Sequence, residues 1–439
     1  MCGLYFSTTN ESAKLDTKFL TRGPDFYNEE LSENICMSHS LLSLTGEFTP
    51  QPVTTNKVKL VFNGQIYNYD KKQFLSDSYF ILDKYLNRNL NFWQELDGEY
   101  AIVIYDPNKQ LVLFLTDIFG TKPLYYSIEN NEIAISSLQS SLKLNGHKKL
   151  VKCTPNTIYK YDLKSKKLSI EEDYFKFNLD QYIDNFDGWN QKFHESILKR
   201  FDKSKHDIIL PLSSGHDSGA IACAFNLLNI DFYSYSFFNN ENKDVLKKRL
   251  LARFASSPFK TRFKKDLQNL KVRENALDHI INNADDFFYG DVVDNLHIYG
   301  KDDPGAIGLA HILNKAKKIN NNIKIVASGQ GGDEIYSNNQ KYTFGIPNPI
   351  KFGDNLEELF PWQNFYYGSQ ISYLSKEESV GGSFGLETRY PFLDVALVQE
   401  YLNLKPELKN KFYKSPITNY LMKYKYPFIN DDTKVGFSP

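Results

Sequence analysis

The chain has 439 residues, of which 41% are hydrophobic and 24% charged, and its formal net charge is −1. That length suits about 2–4 domains, and the near-neutral balance excludes the global basic field of a nucleic-acid binder or membrane-surface binder. No stretch is apolar over the ~18 residues a membrane helix needs, and Met1-Cys2-Gly3-Leu4 lacks the basic and then apolar pattern of a leader, so a cytoplasmic location is expected. The cysteines at 2, 36, 153 and 223 form no C-x-x-C pair, which argues against a zinc or redox site. Cys36, Cys153 and Cys223 read as small buried hydrophobes, and Cys2 stands apart by its position. Aromatic residues make up 15% of the chain and are spread along it, as core packing requires.

Up to about residue 165 the sequence reads as short strands: Val58-Lys59-Leu60-Val61-Phe62, then 100–105 and 111–115 around the turn Asp106-Pro107-Asn108-Lys109, then Tyr125-Tyr126-Ser127 and Ile133-Ala134-Ile135. An antiparallel sheet domain follows from these, covered by helices such as 71–86. Residues 166–186 are polar and read as a linker. Trp189, Phe193, Ile197 and Phe201 then fall four apart, on one face of a helix. From there the order is strand (207–210), helix (220–228), strand (232–237), then helix (306–319) and strand (323–327). That alternation implies a parallel sheet with covering helices. The reading is therefore a two-domain α/β and α+β chain: residues 1–165, the linker 166–186, and residues 187–439.

Loss of Met1 would make Cys2 the first residue. Its α-amine, of pKa ~7.7–8.0, is then partly neutral near pH 7 and takes the thiol proton without a separate histidine. Asn63 offers a side-chain NH₂ and Gly64 a backbone N–H, two donors suited to an oxyanion hole. Arg22-Gly23-Pro24-Asp25 is a rigid turn that holds a cation, and Asp97, ahead of another strand, suits the ammonium of an amino-acid substrate.

In the second half, Ile208-Ile209-Leu210-Pro211-Leu212 runs into Ser213-Ser214-Gly215-His216-Asp217-Ser218-Gly219 and a helix. Backbone N–H groups at a helix start bind phosphate, and small residues let it approach. No Gly-Lys-Ser/Thr is present, so this is not the loop that transfers a γ-phosphate. A second loop, Ser328-Gly329-Gln330-Gly331-Gly332-Asp333, follows the later strand. Pro211, Leu212, Ser213, Ser214, Gly215, Asp217, Ser218, Phe237, Ser328, Gly329 and Gln330 are the ATP contacts implied by the resemblance of these loops to the pyrophosphate loop of enzymes that cleave ATP to AMP and pyrophosphate. Asp217 and Asp333 would hold Mg²⁺ through carboxylate oxygens.

These residues carry a resemblance to the glutamine-hydrolysing asparagine synthetase family. In order, they are Met1-Cys2-Gly3, Arg22-Gly23-Pro24-Asp25, Gln51-Pro52, Asn63-Gly64-x-Ile66-Tyr67-Asn68, Asp97-Gly98 and Asp117-x-x-Gly120-x-Lys122-Pro123-Leu124-Tyr125-Tyr126. The first nucleotide loop resembles the pyrophosphate loop Ser-Gly-Gly-x-Asp-Ser. Glu387-Thr388-Arg389-Tyr390-Pro391-Phe392-Leu393-Asp394 and Lys434-Val435-Gly436-Phe437 resemble later family motifs. The resemblance implies an N-terminal-nucleophile αββα sandwich followed by a parallel-sheet ATP-pyrophosphatase domain. It implies Cys2 as nucleophile, glutamine contacts from Asn63, Gly64, Gln65 and Asp97, and Lys414 as the lysine that steadies adenylation. ATP and Mg²⁺ would activate a carboxylate, by default aspartate, for attack by ammonia. No nucleic-acid or membrane partner is implied, and a homodimer is left open.

Several positions depart from the family pattern, among them Glu378-Ser379, where the family has an Asp-Arg pair. Leu41 stands where the family places an Arg on the glutamine carboxylate, Gln65 replaces a Glu, and Gln330 replaces a Glu. The chain is also shorter than the family's usual length. The rival readings are the same chemistry on another acid, such as a sugar uronate or a secondary metabolite, and a nucleotide-binding relative without amide synthesis.

Overall fold

In a computed structural model, all residues are described except 33, 88–91, 203, 237–240, 257–260, 264–269, 290–297, 300, 302, 339–348, 350 and 430–439. The chain forms two compact units. One comprises Met1–Lys176 with Asn283–Asp286 and Gly382–Leu386, and the other Phe177–Asn282, Phe287–Gly381 and Glu387–Pro439.

The first unit is built on strands β1 (Gly3–Ser7), β2 (Phe26–Ser32), β3 (Ile35–Leu41), β4 (Val53–Thr55), β5 (Val58–Ile66), β6 (Gly98–Asp106), β7 (Leu111–Thr116), β8 (Tyr125–Glu129), β9 (Glu132–Ser136), β10 (Val151–Lys152), β11 (Thr157–Asp162) and β12 (Lys167–Glu172). They make two six-stranded sheets, ordered β10-β8-β9-β1-β3-β2 and β12-β11-β7-β6-β5-β4. Every pairing between them is antiparallel. Leu4, Phe6, Ile35 and Met37 of the first sheet share one core with Val61, Ala101, Val103, Val112 and Phe114 of the second, so the sheets stack face to face. On its other side the first sheet packs Tyr5, Cys36 and Ala134 with Phe19, Leu138 and Leu142 from the helices Thr17–Arg22 and Gln139–Leu144 and the residue before the latter. The helix Asp77–Asn87 lies on β5 and β4. The layers are therefore helix, sheet, sheet, helix.

Both expected hairpins form. Asp106 Oδ1 accepts from Asn108 N (3.0 Å) and Lys109 N (3.1 Å), the Asx turn that this residue type favours. Asn130 and Asn131 at the β8–β9 turn have φ of 54° and 64°, the pair of positive values a tight hairpin demands. Two expectations need correcting. The helix expected over 71–86 begins only at Asp77, because Asp70 closes a turn ahead of it by accepting from Lys72 N (2.8 Å). The polar stretch read as a linker contains β12, which pairs with β11 along its whole length. As an edge strand, mostly exposed, it has little apolar content to betray it.

In the second unit, the helix Asp187–Phe201 buries Trp189, Phe193, Ile197 and Phe201, as their spacing requires. Strands β13 (Asp207–Pro211), β14 (Tyr233–Ser236) and β15 (Thr261–Phe263) come next, then the short antiparallel pair β16 (Phe288–Tyr289) and β17 (Ile298–Tyr299), then β18 (Ile323–Ala327) and β19 (Glu387–Arg389). The main sheet runs β15-β14-β13-β18-β19, parallel throughout. The helices His216–Leu227 and Pro304–Ile319 are its crossovers. Strand order reverses between β13 and β18, and the loops leaving a parallel sheet at such a point are where ligands bind. Cys36, Cys153 and Cys223 are buried, as expected. Among the described residues, no helix is long and apolar enough to cross a membrane.

Candidate active site

In the first unit, β1 places Cys2 beside β5. Cys2 N donates to Asn63 Oδ1 at 2.8 Å. The Cys2 thiol lies 3.4 Å from Leu42 N, which donates to it, and 3.9 Å from Leu42 O. Asn63 is fully buried, and its Nδ2 has no hydrogen-bond partner. A buried unmade donor costs about 1–3 kcal/mol, so the fold holds this NH₂ in reserve next to a thiol. Gly64 has φ +132°, and a Cβ there would run into Glu99 O. Only glycine lets β5 pass at that point.

The pocket at Cys2 is lined by Leu41, Leu42, Gly64, Gln65, Glu47 and Asp77, among others. Leu41 therefore does face it. Gln65 Oε1 accepts from Thr45 Oγ1, which fixes that amide. Asp97 is not among the lining residues; it lies at the start of β6, where its O accepts from Tyr67 N (2.7 Å). Among the described residues, none of those lining it is basic. Arg22, 2% exposed, instead donates from Nε to Cys2 O (3.2 Å) and from Nη2 to Met1 Sδ (3.2 Å). His39 is buried on β3 with Nε2 3.0 Å from Phe62 O, and burial pushes its pKa down to about 4. It is neutral at pH 7.

In the second unit, β13 ends at Pro211, and Leu212 N donates to Tyr235 O (2.8 Å), which fastens the loop start to β14. Ser213 N donates to Ser218 Oγ (3.1 Å) and Gly215 N to Ser213 Oγ (3.1 Å), a tight turn into the helix His216–Leu227. The second loop meets the first. A Cβ on Gly332 would strike the Asp217 carboxylate, and Gln330 N donates to Ser328 Oγ (3.0 Å). Lys414 joins the two. Its Nζ lies 2.6 Å from Asp217 Oδ2, 2.7 Å from Asp217 Oδ1 and 2.6 Å from Asp333 Oδ1. The Lys414 side chain is 1% exposed. Burial works to lower its pKa, but the two carboxylates outweigh burial and hold it above the ordinary lysine value. Asp217, Asp333 and Lys414 are thus brought together, whereas Phe237 lies outside the described residues, as does the 434–437 segment.

Residues 1–182 match the glutamine amidotransferase domain family. The chain is 26% identical over 415 residues to a putative glutamine-hydrolysing asparagine synthetase of Methanocaldococcus jannaschii, covering 87% of this chain and 71% of the relative. It is 23% identical to the glutamine-hydrolysing asparagine synthetase of Homo sapiens, covering 89% and 74%. Over most of its length the chain is thus similar to glutamine-hydrolysing asparagine synthetases, and its first 182 residues match the glutamine amidotransferase domain. Among solved structures it is similar to a glutamine phosphoribosylpyrophosphate amidotransferase from B. subtilis, at TM-score 0.30 and 16% identity, over 48% of this chain and 54% of that one.

Against the synthetase family pattern, Glu387, Arg389 and Asp394 form a brace. Arg389 Nε donates to Glu387 Oε1 (2.8 Å). Asp394 takes Arg200 Nη1 (2.9 Å) and Lys199 Nζ (2.9 Å) and caps the helix Val395–Leu402. Sequence reasoning missed Leu42, which touches the thiol only through its backbone and so leaves no side-chain signal. It also missed Glu47, which comes from a loop, and Asp77, which opens the helix Asp77–Asn87, and Glu241 and Arg249, which hold the 213–215 turn from the next helix–strand unit.

Proposed function

We propose that this synthetase relative takes the amide nitrogen of glutamine and, with ATP, installs it on a carboxylate, aspartate becoming asparagine in the simplest case. The observation that carries this reading is Asn63: its Oδ1 fixes the Cys2 nitrogen while its buried Nδ2 waits without a partner.

Once Met1 is removed, the same Cys2 nitrogen is an amine and accepts the thiol proton. The thiolate attacks the glutamine amide carbon, and the charge on its oxygen falls to Asn63 Nδ2 and Gly64 N. The tetrahedral species collapses and expels ammonia, which leaves with the proton from the amine. Water then hydrolyses the thioester to glutamate and restores the thiol.

In the second unit, the substrate carboxylate attacks the α-phosphate of ATP, giving an acyl-adenylate and pyrophosphate. Ammonia displaces AMP from that adenylate. Backbone N–H groups at the 213–218 turn suit the phosphates, and Lys414 offsets charge that builds between the leaving and attacking oxygens. Asp217 and Asp333 fit Mg²⁺: their oxygens converge on one cation already, and hard carboxylate oxygens are what that ion prefers. Bound there with the phosphates, it would supply charge neutralisation of the pyrophosphate leaving group.

A second reading is the same chemistry on a different carboxylic acid. It draws on Gln330, whose Nε2 is buried without a partner and offers a neutral donor where the family carries an acid. Pyrophosphate release from ATP, measured with ammonium and a panel of carboxylic acids, tests both. Release with aspartate supports the first, and release only with another acid supports the second. ADP and free phosphate in place of AMP and pyrophosphate would defeat both.

A further inference from the structure

The phosphate loop is held from two sides by side chains that the reaction above does not use. On one side is Arg249, 1% exposed. Its Nη1 donates to Ser213 O and to Gly215 O (3.0 Å), and its Nε to Pro427 O (2.9 Å). In a trans peptide the C=O and the following N–H point in opposite directions. Drawing the Ser213 and Gly215 carbonyls toward Arg249 therefore turns the N–H groups of Ser214 and His216 away from it, to the face where an anion would sit.

That face already carries an anion. Glu241, 9% exposed, accepts from Ser214 N (2.5 Å) and from Ser214 Oγ, both at the same carboxylate oxygen. Asn242 N also donates to Ser214 Oγ (3.1 Å). A carboxylate oxygen that gathers a backbone N–H and a serine hydroxyl is doing what a phosphate oxygen does at such a turn.

We propose that Glu241 is the resident anion of the nucleotide loop, occupying the Ser214 amide and hydroxyl in the ligand-free chain and yielding them to a phosphate group of the bound nucleotide. The inference rests on the reading of this loop as the ATP site. Arg249 keeps the loop in shape through the exchange, because its contacts are to carbonyls and are the same before and after. Like-charge repulsion prevents the carboxylate and the phosphate from sharing the serine, so binding of phosphate there is net of displacing Glu241.

The test uses the full chain and isothermal titration with inorganic pyrophosphate, and separately with ATP and Mg²⁺. Glu241→Gln keeps the size of the side chain and removes its charge. Pyrophosphate should then bind about tenfold tighter, the scale of one charge-assisted hydrogen bond. The ligand-free melting temperature should fall while the rise on adding pyrophosphate grows. A purely structural brace would lower the first without enlarging the second. Ser214→Ala should shrink the gain from Glu241→Gln. If the wild type binds pyrophosphate and neither Glu241→Gln nor Glu241→Ala binds it more tightly, this proposal fails and the ATP reading stands. If neither pyrophosphate nor ATP binds to the wild type or to either variant, both fail.

Discussion

Asn63 keeps a buried donor unpartnered beside Cys2, whereas Lys414 has two carboxylates within 2.7 Å and Ser214 has one of its own. On the proposed function, the two units prepare for negative charge in opposite ways. In the first, the penalty of an unsatisfied donor is met during folding, and nothing has to rearrange when the oxyanion forms. In the second, Lys414 and Ser214 already face carboxylates of the protein, so a ligand binding there must exchange partners with them. The first arrangement favours rate at a fixed place. The second protects a concentration of charge until its ligand arrives, since a buried lone charge costs several kcal/mol.

Changes in the cysteine pocket should therefore act on rate and leave the second unit untouched. Cys2→Ala should abolish ammonia release from glutamine while synthesis from ammonium persists, and equal glutaminase activity in the variant would remove Cys2 from the mechanism. Asn63→Ala should lower the glutaminase kcat by about 10²–10³-fold with a smaller change in KM; a pure KM effect would show that Nδ2 is not an oxyanion donor. Lys414→Met should act on stability as well as activity. Denaturant unfolding without ligand should lose about 3 kcal/mol, because Asp217 and Asp333 are left facing each other, and Mg²⁺ should return part of it. An unchanged midpoint would mean the carboxylates are already relieved by water.

A smaller effect is expected at Leu41. It lines the pocket, and among the described residues no other lining residue is basic either. Leu41→Arg should lower the glutamine KM by about tenfold through one charge-assisted contact without altering ammonium-dependent activity. If KM does not move, the substrate carboxylate is anchored elsewhere, and Arg22 becomes the candidate.

The smallest effect is a slope. Burial pushes the Lys409 pKa down to about 7, although Gln181 Oε1 (2.6 Å) and Leu402 O (2.7 Å) accept from it. Unfolded, a lysine titrates near 10.4. Between pH ~7 and ~10 the unfolded chain thus holds a proton the folded chain lacks, and this residue's contribution to stability rises with pH. Below pH 7 both forms are charged and the full cost of burial applies. The stability difference between wild type and Lys409→Met should climb across that window; a flat difference would mean Lys409 stays charged in the fold.

What the sequence made legible was whatever depends on backbone geometry or on periodic burial. The Trp189 to Phe201 stripe, the hairpins at 106–109 and 130–131, and the turn after β13 all formed where the residue types demanded them. The pairing of Lys414 with Asp217 and Asp333 was approached only by resemblance, because it spans 197 positions in one case and joins the starts of three separate helices. The position of Asp97 outside the pocket lining depends on how the β5–β6 connection packs, and spacing along the chain carries no such information. The reach of Glu241 to Ser214 was invisible for the same reason.

The strand β12 has one further effect. It is the free margin of the second sheet, and its sequence Lys167-Leu168-Ser169-Ile170-Glu171-Glu172 leaves Lys167, Ser169, Glu171 and Glu172 exposed alongside Ile170. An open strand edge is a template on which another chain can add, and alternating charges on such an edge discourage that addition. The polarity that hid this strand among loop-like residues thus guards the sheet against growing by one more strand, and replacing Lys167 and Glu171 with valine should increase self-association through this β-edge, measured by light scattering.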